Sequence, residues 1–216
     1  MPKVVKQQVN CPKCRNTIDV KLWTSINPQL APSLRKKIMD ESLFDFYCPK
    51  CKYKSQLQYP FIYNDMKNNF ILYFIPYVNK NRIDFNKANK EYPQLNNKKK
   101  RLVKELNQVK EKIMIFENNL DDKAIELTKY SLNTVIRNKS NKYVSDAYFC
   151  MLDKDTERIG FSFFFDDRKK PLYHATKIEA YNKYASTIEK TKAFDELKTS
   201  FLSVDQNWVE TVLKKR

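Results

Sequence analysis

The tetrapeptide Cys11-Pro12-Lys13-Cys14 returns later in the chain as Cys48-Pro49-Lys50-Cys51. Two cysteines two residues apart can bite one metal ion. Two such pairs supply the four-thiolate, tetrahedral shell that structural zinc takes. Proline in second place fixes φ where the chain turns around the metal. A single Cys-x-x-Cys is also the grammar of a redox motif, whereas a matched pair points to a metal. A four-thiolate shell is closed and leaves no position for water or substrate. The ion expected of Cys11, Cys14, Cys48 and Cys51 is therefore one structural zinc, which organises the chain and polarises nothing. Iron in a rubredoxin-like site uses the same ligands, and disulfides or free thiols are the remaining readings.

Other reactive residues are sparse. His174 is the only histidine, so any triad built on histidine would have to use it, and it reads as structural or exposed. One glycine, Gly160, cannot make a phosphate-cradling or dinucleotide-binding loop. Asp121-Asp122 and Asp166-Asp167 read as caps or turns before they read as cation ligands. Cys150, in Ala147-Tyr148-Phe149-Cys150-Met151-Leu152, reads as a buried, inert thiol. No catalytic residue and no small-molecule substrate follows from these residues. Whether the chain is an enzyme stays open, with the balance toward a non-enzyme.

The elements that must position the cysteines can be read from the same rows. Ile18, Val20 and Leu22 alternate as in a strand after the first pair. Asn27-Pro28 and Ala31-Pro32 break the chain, and Leu34 and Ile38 mark a short helix over 33–39. Leu43–Tyr47 runs into the second pair as a strand. Tyr53–Tyr63 and Phe70–Ile75 read as two more strands, turned at 64–69. Two knuckles on short strands make a zinc ribbon. The 33 residues between the pairs exceed a minimal ribbon, so the helix is an insertion. Residues 77–101 read as a basic linker or loop that closes on Lys98-Lys99-Lys100-Arg101. Residues 102–216 read as a mixed unit. Helices are expected around Val109–Phe116, after the break at Leu120-Asp121-Asp122 with one of its Asp residues as cap, over 177–189, and over 205–214 with Asp205 as cap and Trp208 and Leu213 for packing. Strands are expected over 143–152 and 158–165. The fold class is thus α+β: a zinc-ribbon-like module over 1–76 with an inserted helix, then an α/β unit over 102–216.

Composition bounds the partners. The formal charge is +16, from 41 basic and 25 acidic residues. It is uneven: net +7 over 1–76, +6 over 77–101 and +3 over 102–216. Uneven charge favours nucleic acid or another anionic partner. Against this, lysine outnumbers arginine 33 to 8, as compositional drift would produce, and arginine does most base reading. Trp23, Tyr47, Tyr53, Tyr59 and Tyr63 alternate with lysines and read either as core or as stacking platforms. The longest apolar run, Phe70–Val78, is short of a membrane span and broken by Pro76, so no membrane partner is expected. No apolar block follows the charged Met1–Asn10 as in a signal peptide. Thiols in metal spacing fit a reducing cytoplasm.

The doubled tetrapeptide and its surroundings resemble the CpXC family. The resemblance runs through Trp23-Thr24-Ser25-Ile26-Asn27, Leu43-Phe44-Asp45-Phe46-Tyr47, Tyr59-Pro60-Phe61-Ile62-Tyr63-Asn64-Asp65 and Phe70-Ile71-Leu72-Tyr73. It continues in Lys112-Ile113-Met114-Ile115-Phe116, Leu120-Asp121-Asp122 and Ile125-Glu126, so that it covers roughly residues 6–136. It implies a metal-binding bacterial or archaeal domain and supplies no biochemical role. Two departures stand out. Arg15 and Lys52 occupy positions where the family often has glycine, so the turn falls on them, on Asn16, or takes another form. Asn64 replaces a histidine and reads as a turn residue. The functional expectation is a zinc-binding, non-enzymatic binding protein that contacts nucleic acid through a basic ribbon surface. A protein–protein adaptor, or an enzyme with an acid and tyrosine site near Asp121 or Asp166, are the alternatives.

Overall fold

The computed structural model describes residues 2–76, 98–140, 143–166, 170–191 and 201–214. The fold is α+β, and the chain divides into two compact units after Leu106.

The first unit is built on a five-stranded sheet in the order β1-β2-β5-β6-β7. β1 (Lys3–Asn10) and β2 (Thr17–Ile26) form an antiparallel hairpin whose tip carries the first cysteine pair. Residues 27–60 are an insertion between β2 and its parallel neighbour β5 (Phe61–Asp65). Within it, Asn27 Oδ1 accepts the amides of Gln29 and Leu30, at 2.9 and 3.2 Å, and Pro32 opens helix α1 (Pro32–Met39). Leu34 and Ile38 are buried, as their spacing of four predicts. A 3-10 turn at Ser42–Phe44 leads to a second hairpin, β3 (Asp45–Tyr47) with β4 (Lys54–Gln56), which carries the second cysteine pair at its tip. The sheet closes with β6 (Phe70–Phe74), antiparallel to β5, and β7 (Lys99–Val103), parallel to β6. Phe44, Tyr59, Phe61 and Phe74 pack with ring centroids 5.2–6.4 Å apart at the core.

The second unit packs helices with an antiparallel sheet, β10-β9-β8. Helix α2 (Leu106–Glu117) ends where Asn119 takes a left-handed φ of 56°. Asp121 then caps α3 (Asp122–Ser140): its Oδ1 accepts the amides of Lys123 and Ala124 at 2.9 and 3.1 Å. β8 (Asp146–Asp153) and β9 (Arg158–Phe164) turn on the Asp153 carboxylate, which accepts the amides of Asp155 and Thr156. Phe149, Ile159, Phe161 and Phe163 bury one face of this sheet. A bulge between Phe149 and Met151 explains the single glycine. A Cβ on Gly160 would stand 2.5 Å from Met151 Cγ, so that exposed side chain would have to swing aside. β10 (Leu172–Lys177), α4 (Glu179–Lys190) and α5 (Gln206–Lys214) complete the unit.

Several expectations are corrected. β1 and β10 are strands that the sequence pattern did not announce. The 53–63 strand is two strands, separated by residues 57–60. The run at 98–101 enters β7 instead of closing a linker; residues 77–97 lie outside the described residues. Asn64 lies in β5, opposite Ile71, and the turn is Met66–Asn69. On α5, Asp205 caps as expected, its Oδ1 taking the Trp208 amide at 3.0 Å. The buried residue is Val209, and Leu213 is exposed. Among the described residues no helix is long and apolar enough to cross a membrane.

Candidate metal centre

The two knuckles are built alike. In the first, the Arg15 amide donates to the Cys11 carbonyl at 2.8 Å and the Cys11 amide donates to Asn16 O at 2.9 Å. In the second, Lys52 N–H bonds Cys48 O and Cys48 N–H bonds Tyr53 O, both at 2.9 Å. Each loop is thus a six-residue connection between paired strand ends, Asn10 opposite Thr17 and Tyr47 opposite Lys54. Closing so tight a loop requires one left-handed residue. Arg15, at φ 59°, and Lys52, at φ 62°, take that place themselves, so the turn does not move to Asn16. Each non-glycine residue held there costs about 1 kcal/mol.

The repeated geometry brings four sulfurs together. Cys11 and Cys51 lie 3.6 Å apart through Sγ, as do Cys14 and Cys48, and all four Sγ atoms fall within 4.8 Å of one another. A tetrahedron with metal–sulfur bonds of ~2.3 Å has sulfur–sulfur edges of ~3.8 Å. The set is positioned to bind a metal ion, and its spacing is far longer than the ~2.05 Å of a disulfide. Cys11 and Cys48 are buried, and Phe46, Val9, Ile18, Val20, Tyr53 and Leu57 pack around the cluster. Amides aim at the sulfurs as well. The Cys51 and Lys50 amides pull the Cys48 thiol down to about 6, against its burial. Burial pushes Cys51 up to about 12, and its sulfur neighbours add to this while the Tyr53 amide opposes it. Four thiolates cannot crowd so closely without a cation to neutralise them, which is the condition a thiophilic metal fulfils.

The other residues singled out in the sequence do not join this centre. Cys150 is half-buried at the β8 bulge, and burial raises its thiol away from the reactive thiolate. His174 is exposed on β10 and Asp166 is exposed beyond β9; Asp167 lies outside the described residues. Of the five aromatics, Tyr59 and Tyr63 are core, Trp23 and Tyr53 are half-buried, and Tyr47 is 47% exposed. The basic run does not form a surface stripe: Lys100 and Arg101 are buried, at 2% and 0% exposure. Burial lowers the Lys100 pKa. Lys98 is half-buried and donates to Asn64 Oδ1 at 2.8 Å.

Sequence reading missed a second polar cluster, in the other unit. Lys112 on α2 lies 3.1 Å from Asp122 and 3.4 Å from Glu126 of α3. Lys129 of α3 lies 2.8 Å from Glu111 and 2.9 Å from Glu126. All five are buried. Lys129 Nζ also donates to Ala147 O at 2.9 Å, and Glu111 Oε1 accepts the Phe149 amide at 2.7 Å. The ion pair thereby satisfies backbone groups of β8, an edge strand, as a neighbouring strand would. Burial alone would lower both lysines, but the surrounding carboxylates outweigh it and raise them. Burial dominates at Glu126 and raises it against the pull of Lys129 and Lys112. The only signal in the sequence was that Asp122, Glu126 and Lys129 share a face of one helix.

No curated protein and no solved structure matches the chain. The family model described as CpXC protein matches residues 9–129, which spans both knuckles and all five charges of the buried network. With more than half its length matched in register with the doubled knuckle, the chain belongs to the CpXC family.

Proposed function

We propose that the four cysteines hold one zinc ion as a structural site, and that the protein is a non-enzymatic, cytoplasmic binding protein whose ribbon end contacts nucleic acid. Zinc suits four thiolates in a closed tetrahedral shell, where it fixes two hairpins and leaves no open position for chemistry. The acids considered for an enzyme site have structural partners instead: Asp121 caps α3 and Asp122 pairs with Lys112.

One observation supports the nucleic-acid reading above the others. The two knuckles converge on the same four sulfurs, so their exposed cations gather at one end of the ribbon. These are Lys13 and Arg15 from the first knuckle and Lys50 and Lys52 from the second, with Lys54 just beyond. Elemental analysis tests the metal: about one zinc per chain, lost when Cys11 and Cys48 are both replaced by serine. Titration with a single-stranded oligonucleotide at two salt concentrations tests the partner. Each phosphate neutralised adds about 0.7 to the slope of log affinity against log salt. Replacing Lys13, Arg15, Lys50 and Lys52 by glutamine should flatten that slope. Absence of binding in low salt would defeat the nucleic-acid reading and favour a protein adaptor.

A further inference from the structure

The β3–β4 hairpin carries a groove of about 560 Å³ beside the second knuckle, lined by Asp45, Phe46, Tyr47, Lys52, Lys54 and Ser55. The hairpin has two unlike faces. Phe46 points into the packing around the cysteines, while Asp45, Tyr47, Lys54 and Gln56 are exposed. Tyr47 and Lys54 are directly paired across the strands, and Lys52 Nζ stands 5.7 Å from the Tyr47 ring centroid. A large ring is thus held in place at the surface by a short hairpin, with a lysine on two sides. The core does not need this ring, since its neighbour Phe46 does the packing.

From this arrangement we infer that Tyr47 is a stacking platform for one unpaired base of a single strand, with Lys52 and Lys54 on the adjoining phosphates. The inference rests on the nucleic-acid reading above and names the site for it. The charge distribution fits such a strand: the groove offers two ammonium groups, and the surrounding knuckles add Lys13, Arg15 and Lys50. Asp45 is the one acid in the lining, so phosphates are directed toward the knuckle end of the groove. Duplex bases already stack on one another and cannot present a face to the ring. Unpaired bases can, and stacking of this kind tolerates any sequence because every base has a π face.

The test uses the full zinc-loaded chain and two dye-labelled oligonucleotides of equal length, one of thymidines and one abasic, so that the phosphates match and only the bases differ. The thymidine strand should bind about tenfold tighter. Tyr47→Ala should erase that difference, Tyr47→Phe should keep it, and Lys52→Gln with Lys54→Gln should weaken both strands while keeping it. Zinc content and the circular dichroism of each variant should equal those of the parent, since Tyr47 is outside the core. Equal binding of the two strands by the parent, or a difference that survives Tyr47→Ala, overturns the stacking site and leaves the nucleic-acid reading standing. No binding of either strand in low salt overturns both.

Discussion

The two units solve the same problem with opposite chemistry. Each gathers polar groups beside an apolar core, and each uses them to bring together elements separate in sequence. In the first unit the polar groups are four sulfurs, all of one kind. As thiolates they would repel one another, and a cation from outside would neutralise them. In the second, Glu111, Asp122 and Glu126 are already faced by Lys112 and Lys129, and two backbone groups of β8 take up further bonding capacity. One centre is positioned to take a metal ion and the other supplies its own counter-charges. With a metal bound as proposed, stability of the first unit is linked to free metal concentration, and that of the second to the protonation of its own side chains.

The largest effect should separate the units outright. Removing the metal with a chelator should unfold the hairpins that carry the knuckles, because binding free energy in such a module is folding free energy. Hydrogen exchange should accelerate first in β1 to β4, while amides of α3 and β9 keep their protection. Loss of protection across the whole chain at once would show that the units share one transition and would end the comparison as drawn.

The converse break lies in the buried network. Lys129→Met removes the cation paired with Glu111 and one of the two paired with Glu126, which keeps Lys112, and it also strips the Ala147 carbonyl of its donor. Breaking a buried pair from one side costs about 3–5 kcal/mol. Urea unfolding followed by near-ultraviolet circular dichroism should show that loss in the second unit, with zinc content unchanged. Replacing Glu111, Glu126 and Lys129 together by apolar residues of similar size should cost less than Lys129→Met alone. The penalty comes from the orphaned charge and not from the absence of the pair.

Much of the first centre was legible because its pattern is nearly covalent in strictness. Cysteines at a spacing of two, repeated, leave few geometries, though the sequence left open whether the turn after each pair falls on Arg15 and Lys52, on Asn16 or takes another form, which the Arg15 and Lys52 φ values of 59° and 62° decide. Helix α1 and an Asp cap at Asp121-Asp122 were legible for the same reason, since their signals are local; that Asp121 is the cap is settled by its bonds to the Lys123 and Ala124 amides. What failed was everything decided by distant partners. β1 has only Val4, Val5 and Val9 as apolar residues and is a strand because β2 pairs with it along its whole length. β7 contains Lys99, Lys100 and Arg101, a run that reads as solvated surface, yet β6 holds it in parallel register and Lys100 and Arg101 are buried. The network needs Glu111, Lys129 and Phe149 to meet, and no window of sequence contains all three contacts.

The pH response should divide the units again, with a smaller effect. Lys112 and Lys129 are raised in the folded state above the ordinary lysine value of about 10.4. The folded state therefore holds their protons more tightly than the unfolded chain does. That contribution is complete below the ordinary value and is lost as pH rises through the folded values. Glu126 is also raised, so the folded state favours its neutral form; its ionisation subtracts stability as pH climbs past the ordinary carboxylate range. Both groups act in the same direction. In zinc-loaded protein, the unfolding midpoint of the second unit should fall as the solution becomes alkaline beyond about pH 10.4. The variant lacking Glu111, Glu126 and Lys129 should show a flatter response.

The smallest effect asks whether the two knuckles are energetically as well as geometrically equivalent. Arg15 and Lys52 hold left-handed φ values within three degrees of each other, and Glu157, in the β8–β9 turn of the other unit, holds 50°. Glycine at any of these positions relieves about 1 kcal/mol of steric cost and returns part of it as added freedom of the unfolded chain. The net gain is of order 0.5 kcal/mol. For Arg15→Gly and Lys52→Gly, where metal binding and folding of the knuckles are coupled as proposed, the gain should appear as about a twofold rise in metal affinity at each site, additive in the double variant. For Glu157→Gly it should appear as a small rise in the unfolding midpoint of the second unit, the same with and without chelator. A gain at Arg15 but not at Lys52 would mean that the exposed Lys52 contributes through its ammonium near the Tyr47 ring as well as through its backbone, and that the knuckles are alike in shape but not in what their side chains do.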